Sequence, residues 1–175
     1  MAPAYTQCNM MFVITVLLIL LMLAVFWWDA TRFLIPNWLV GIVLLLYPIY
    51  VFLSSSPVDW VGGLTVFAIA FVIGLALFVT RIMGGGDVKL LAVCCLWVGK
   101  ASILNYVIYT SLIGGALSLL LLLGRPALSY FWLRLFEEKP LPRLFEKGAP
   151  VPYGLAIAGG MLILLLRQQI QGLAL

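Results

Sequence analysis

Leu90-Leu91-Ala92-Val93-Cys94-Cys95-Leu96-Trp97-Val98-Gly99-Lys100-Ala101-Ser102-Ile103-Leu104 is the stretch on which the fold turns. Apolar residues continue on both sides of Gly99-Lys100, so residues 90–123 read either as one long helix or as two. One helix of that length, rising about 1.5 Å per residue, overshoots a hydrocarbon layer of about 30 Å. It would also carry the loop 124–152, with Arg125, Arg134, Lys139, Arg143 and Lys147, to the outer side of the membrane. Dividing the run near Gly99-Lys100 predicts six spans, at 10–28, 38–53, 61–80, 88–99, 102–123 and 153–170, with both termini outside. The inside then holds Arg32, Arg81, Lys89 and those five loop residues, eight of the ten basic residues. Only Lys100 and Arg167 stay on the outer side. The bias of basic residues toward cytoplasmic loops selects six spans over five.

Composition points the same way. The chain has 175 residues, 65% of them hydrophobic and only 9% charged, with a mean hydropathy of +1.21. A soluble domain carries about a quarter charged residues, so the solvent for most of this surface is lipid. The net charge of +4 reads as loop charge that sets orientation, and no nucleic-acid partner is expected. The first apolar run has no Lys or Arg before it and ends in Trp27-Trp28-Asp29, which predicts a retained span and not a removed signal peptide. The fold expected is all-α: a polytopic membrane protein with one domain over residues 1–175.

Histidine is absent, which excludes Ser-His-Asp and Cys-His catalysis and His-ligated metals. The three cysteines, Cys8, Cys94 and Cys95, have no CxxC spacing, so neither a zinc site nor a disulfide framework is expected. No metal and no cofactor is predicted.

Six acidic residues remain to carry chemistry. Glu137, Glu138 and Glu146 lie among basic partners in the inner loop, and Asp59 before Trp60 reads as a helix-start residue. Asp29 ends the first span and Asp87 begins the fourth, so both fall at the cytoplasmic edge of the bilayer, where acidic groups are costly and tend to be functional. Each has a plainer reading: Asp87 as a helix cap, Asp29 as the partner of Arg32 across one turn. The glycines in Met83-Gly84-Gly85-Gly86-Asp87-Val88-Lys89 favour the catalytic reading. Glycine permits positive φ and close approach of another backbone, which a protease needs beside its catalytic carboxylate.

These residues resemble the type IV prepilin peptidase family, whose active site pairs an early aspartate with the aspartate of a GxGD motif. That motif is similar to Gly84-Gly85-Gly86-Asp87 here, followed by Val88-Lys89. The early aspartate resembles Asp29 in Asp29-Ala30-Thr31-Arg32-Phe33-Leu34-Ile35-Pro36-Asn37. Val151-Pro152-Tyr153-Gly154-Leu155-Ala156-Ile157-Ala158 resembles the family's proline-aromatic-glycine segment before the last span. The chain lacks the cytoplasmic tetracysteine zinc insert of longer members and looks like the short form associated with Flp (tight-adherence) pili. N-methylation of the cleaved pilin is therefore not assigned.

The resemblance implies an aspartic endopeptidase of a prokaryotic inner (plasma) membrane. It would cut the leader of prepilin or pilin-like precursors at the cytoplasmic face, among membrane lipids. Asp29 and Asp87 would be catalytic, one protonated and the other a base that activates water. The helix dipole favours a negative charge on Asp87, at a helix start, over Asp29, at a helix end, which makes Asp87 the base and Asp29 the acid. Gly84, Gly85, Gly86, Lys89, Arg32, Pro36 and Asn37 are the candidate supporting residues. Pro36 separates helices one and two and keeps Arg32 and Asn37 near the acids; Lys89 would pair with an acid or a lipid phosphate. The competing reading is a small membrane transporter or assembly subunit, with the aspartates as ion or proton sites at a glycine break.

Overall fold

A computed structural model describes residues 4–54, 57–136 and 151–173. Among these residues the chain is helical throughout: α1 (Ala4–Arg32), α2 (Asn37–Leu53), α3 (Trp60–Val79), α4 (Gly85–Leu135) and α5 (Tyr153–Leu173). Three of them, α1 from Met10, α3 and α4, are long and apolar enough to cross a bilayer; α2 and the Tyr153–Arg167 part of α5 are shorter apolar stretches.

The length of α4 hides a reversal. Gly99 has φ 64° and ψ −177°, a combination open essentially only to glycine. Beyond it the Tyr106 hydroxyl reaches the Cys94 thiol, two positions that a straight helix would hold about 18 Å apart. The two arms, residues 85–98 and 100–135, therefore fold back on each other, with the break where the sequence placed it.

The first arm is the centre of the molecule. Val88, Leu90, Ala92, Val93, Cys94, Cys95, Leu96 and Val98 are all buried, on every side of the helix. A helix that is apolar all round belongs in an interior, and this one is wrapped by stripes from its neighbours. From α1 come Leu18, Met22 and Val25, from α2 Leu39, Val40 and Val43, and from α5 Ile157, Ala158 and Met161. The outer surfaces are apolar as well. Phe52, Leu104 and Leu122 are 88%, 71% and 73% exposed, which suits a lipid solvent.

Since lipid is as apolar as the side chains, close packing has to hold such helices together. Gly63 on α3 shows how close: a Cβ there would lie 2.7 Å from the Tyr47 hydroxyl of α2 and 2.9 Å from the Leu96 carbonyl of α4. Trp97 Nε1 donates to the Val43 carbonyl at 3.0 Å, one turn before Pro48 of α2. Asp59 caps α3 as expected, accepting from the Gly62 N–H at 2.8 Å.

One element departs from expectation. The expected fifth span ended at residue 123, yet α4 runs on to Leu135 with Pro126 inside it. Spacing explains why the helix continues. Arg134 donates to the Tyr130 hydroxyl at 3.2 Å, and the Trp132 and Phe136 rings are 4.5 Å apart, both pairs four residues apart on one helical face. Glu137, Glu138, Lys139, Arg143, Glu146 and Lys147 lie outside the described residues.

Candidate active site

Asp29 is the one charged side chain in the interior of the described chain, 3% exposed. Its position follows from α1's own periodicity, since Leu18, Met22, Val25 and Asp29 are spaced by four, three and four residues along one buried stripe. A carboxylate so placed needs donors. The start of α5 supplies them: the Leu155 N–H donates to Asp29 Oδ2 at 3.0 Å, and the Gly154 N–H faces the same carboxylate. These are among the first backbone N–H groups of a helix, which have no partner within it.

Gly154 is required by this contact. A Cβ at position 154 would stand 2.7 Å from Asp29 Oδ2 and 2.8 Å from Ile35 Cδ1.

Asp87 is presented by the other helix start. Gly84 is the N-cap of α4, and Asp87, in the first turn, turns back to the Gly84 N–H. This is the acidic half of a capping box. None of the three glycines has positive φ, so their use is closeness alone. A Cβ on Gly84 would lie 2.9 Å from Asp87 Oδ2, on Gly85 3.3 Å from the Phe78 ring, and on Gly86 3.2 Å from Ile35 Cβ. The backbone that approaches Gly86 belongs to the chain itself.

Ile35 thus stands between two glycines, Gly86 at the start of α4 and Gly154 at the start of α5. Pro36, with φ −65° and ψ 134°, is the N-cap of α2 and holds the preceding residue in extended backbone. No residue pattern around Ile35 marked it as a structural wedge.

Both carboxyls line one cavity of about 600 Å³, together with Phe33, Arg81, Gly84 and Tyr153. Two of these residues have left-handed backbone, Phe33 with φ 53° and Arg81 with φ 60°. Arg81 terminates α3 in a Schellman motif: its N–H donates to Phe78 O at 2.9 Å and the Ile82 N–H to Leu77 O at 3.0 Å. Glycine is usual at that position, and strained residues of this kind gather at functional sites. Arg81 is the one cation among the cavity's described lining residues.

The expected supporting residues are divided. Gly84 lines the cavity; Gly85, Gly86 and Pro36 pack behind it. Lys89 donates to Asn37 Oδ1 at 3.0 Å, and the pair flanks a separate apolar groove with Phe67 and Phe71. Arg32 does not bind Asp29; its guanidinium lies 4.9 Å over the Trp28 ring. Arg81 and Phe33 take the places expected of Lys89 and Arg32 beside the acids. Among the described residues, no third His, Cys, Asp or Glu joins Asp29 and Asp87 in a metal-type cluster.

The expected electrostatic asymmetry between the acids is also absent. Asp29 sits at the end of its own helix but points at the start of another, so both carboxyls meet the positive end of a helix dipole.

A model of the type IV leader peptidase family matches residues 16–119, more than half of the chain. No curated protein and no solved structure matches it. The match takes in both acids and the Gly84-Gly85-Gly86 turn and stops before α5, which supplies the donors to Asp29.

Proposed function

Given that the chain belongs to the type IV leader peptidase family, we propose that it is an aspartic endopeptidase that removes the leader of prepilin-type precursors, with Asp29 and Asp87 as the reacting pair. The observation that carries this is the convergence of two acids, on helices separated by two others in sequence, in one cavity. Family membership supports the peptidase; the convergence supports the aspartic chemistry.

Hydrogen bonding divides the roles. Asp29 faces two backbone N–H groups, which favour its ionised form. Asp87 has one such donor, so its ionised form is favoured less and it keeps the shared proton. Asp29 is therefore the base and Asp87 the acid, the reverse of what the dipole of each acid's own helix suggested. Water gives a proton to Asp29 while its oxygen attacks the scissile carbonyl, and Asp87 protonates the carbonyl oxygen. Collapse of the tetrahedral adduct returns that proton to Asp87 and passes the one on Asp29 to the leaving amine. One water is consumed, and one acid and one amine are formed.

The remaining reading concerns the membrane. Six crossings, both termini outside and a site at the cytoplasmic face of a prokaryotic inner membrane agree with the distribution of Lys and Arg. The absence of CxxC spacing from the sequence supports the short, Flp-type form, with cleavage as its activity and methyl transfer left unassigned.

Co-expression with a pilin precursor tests the assignment. Asp29→Asn and Asp87→Asn should each lower processing by about a hundredfold or more, with membrane levels of the protein unchanged. Processing at the wild-type rate by either variant would overturn the pairing.

A further inference from the structure

Beside the catalytic cavity lies a second, almost wholly apolar groove of about 440 Å³, and the two share Met83 and Tyr153 as common walls. The groove runs between the second arm of α4 and the start of α5. Its floor is a row of small residues, Ser111, Gly115 and Ser118, covering about 10 Å of helix.

Gly115 is the informative member. Its neighbour Gly114 is explained by packing, since a Cβ there would lie 3.3 Å from the Ala156 Cβ of α5. A Cβ on Gly115 would meet nothing within 4 Å, and its backbone is not left-handed. Nothing within the described chain calls for glycine there, although glycine weakens the helix interior relative to alanine. What a bare glycine provides at that position is access for something from outside.

The chemistry of the groove fixes the kind of occupant. It is apolar and lies on helices bathed in lipid, so an occupying peptide must satisfy its own backbone and present apolar side chains. A helix meets both conditions, and small residues along the floor allow its backbone to come close. We propose that this groove seats the first turns of the precursor's apolar helix, immediately after the scissile bond. The shared walls at Met83 and Tyr153 then deliver the bond to Asp29 and Asp87. The inference rests on the leader-peptidase reading above and adds to it the surface that recognises the substrate's membrane segment.

Two measurements on the full-length chain with a pilin precursor test it. Gly115→Leu, whose Cβ meets nothing within 4 Å, extends into the groove and should lower processing about tenfold or more, with membrane levels of the protein unchanged. Leu122→Phe, on the same arm but 73% exposed and outside the groove, should leave processing at the wild-type rate. In a Cys8→Ser background, with Cys94 and Cys95 buried, Gly115→Cys should form a disulfide with a cysteine placed in the first turns after the cut. Leu122→Cys should not. Wild-type processing by Gly115→Leu would overturn the proposal, as would a cross-link from Gly115→Cys only to a second copy of the chain or to nothing. If Asp29→Asn still cleaved while the cross-link formed, the groove would stand and the aspartate mechanism would fall.

Discussion

At Asp29 a carboxyl group is held inside an apolar bundle by two backbone N–H groups borrowed from another helix. Replacing Gly154 by Ala would drive a methyl group against that carboxylate. Gly154→Ala should therefore cost about 1–3 kcal/mol of stability and lower precursor processing about tenfold or more by displacing the reacting group. Melting in detergent, read beside a processing assay, separates the two effects. Unchanged activity would mean that the Leu155 and Gly154 donors do not position Asp29. Asp29 and Asp87 could be chosen from sequence because acids are rare in this chain and these two fall at the ends of apolar runs. Even the inward direction of Asp29 was written in the spacing Leu18, Met22, Val25, Asp29. Its donors were not, because a backbone N–H carries no residue signature. Only Gly154, within a segment noted for its resemblance, marked the place.

Helix ends do most of the positioning, and two of them, at Phe33 and Arg81, are strained. Arg81 occupies a left-handed position at the end of α3 that costs a non-glycine residue about 1–2 kcal/mol. Arg81→Gly should relieve that strain and raise stability by up to about 1 kcal/mol, part of the gain being lost to glycine's greater freedom when unfolded. A lower melting point would show that the guanidinium holds the fold together. Ile35 is a wedge between the starts of α4 and α5, and Ile35→Ala should cost about 2–5 kcal/mol through the cavity it leaves. Because Gly86 and Gly154 bear on the same side chain, Gly86→Ala and Gly154→Ala should be non-additive, coupled by about 0.5–3 kcal/mol in a double-mutant cycle. Strict additivity would mean that Ile35 transmits nothing between them. The break at Gly99 was legible because length and charge both demanded it. The helical stretch from residue 124 to 135 was not, because the apolar run ends at residue 123 and pairs four residues apart stabilise only a helix that has already formed.

For the whole molecule, sequence and structure agree on an all-helical, lipid-facing chain, with the run of residues 88–99 as its core. That run was too short to read as an ordinary span, and the reason is that its neighbours enclose it. With the six-crossing arrangement, Pro57→Cys should react with an impermeant thiol reagent from the outer side only, and Ser129→Cys only after the inner side is opened. The opposite pattern would put the acids at the wrong face for a leader that stays inside. The shortness of the central arm has a further effect. Residues 85–98 rise about 20 Å, while a hydrocarbon layer measures about 30 Å. A column of that height, enclosed by the longer α1 and α3, stops short of one surface or both and leaves a recess within the bundle above its end. Hydrolysis needs solvent, and at the Asp87 end such a recess would let water descend to a reaction otherwise walled off by oil.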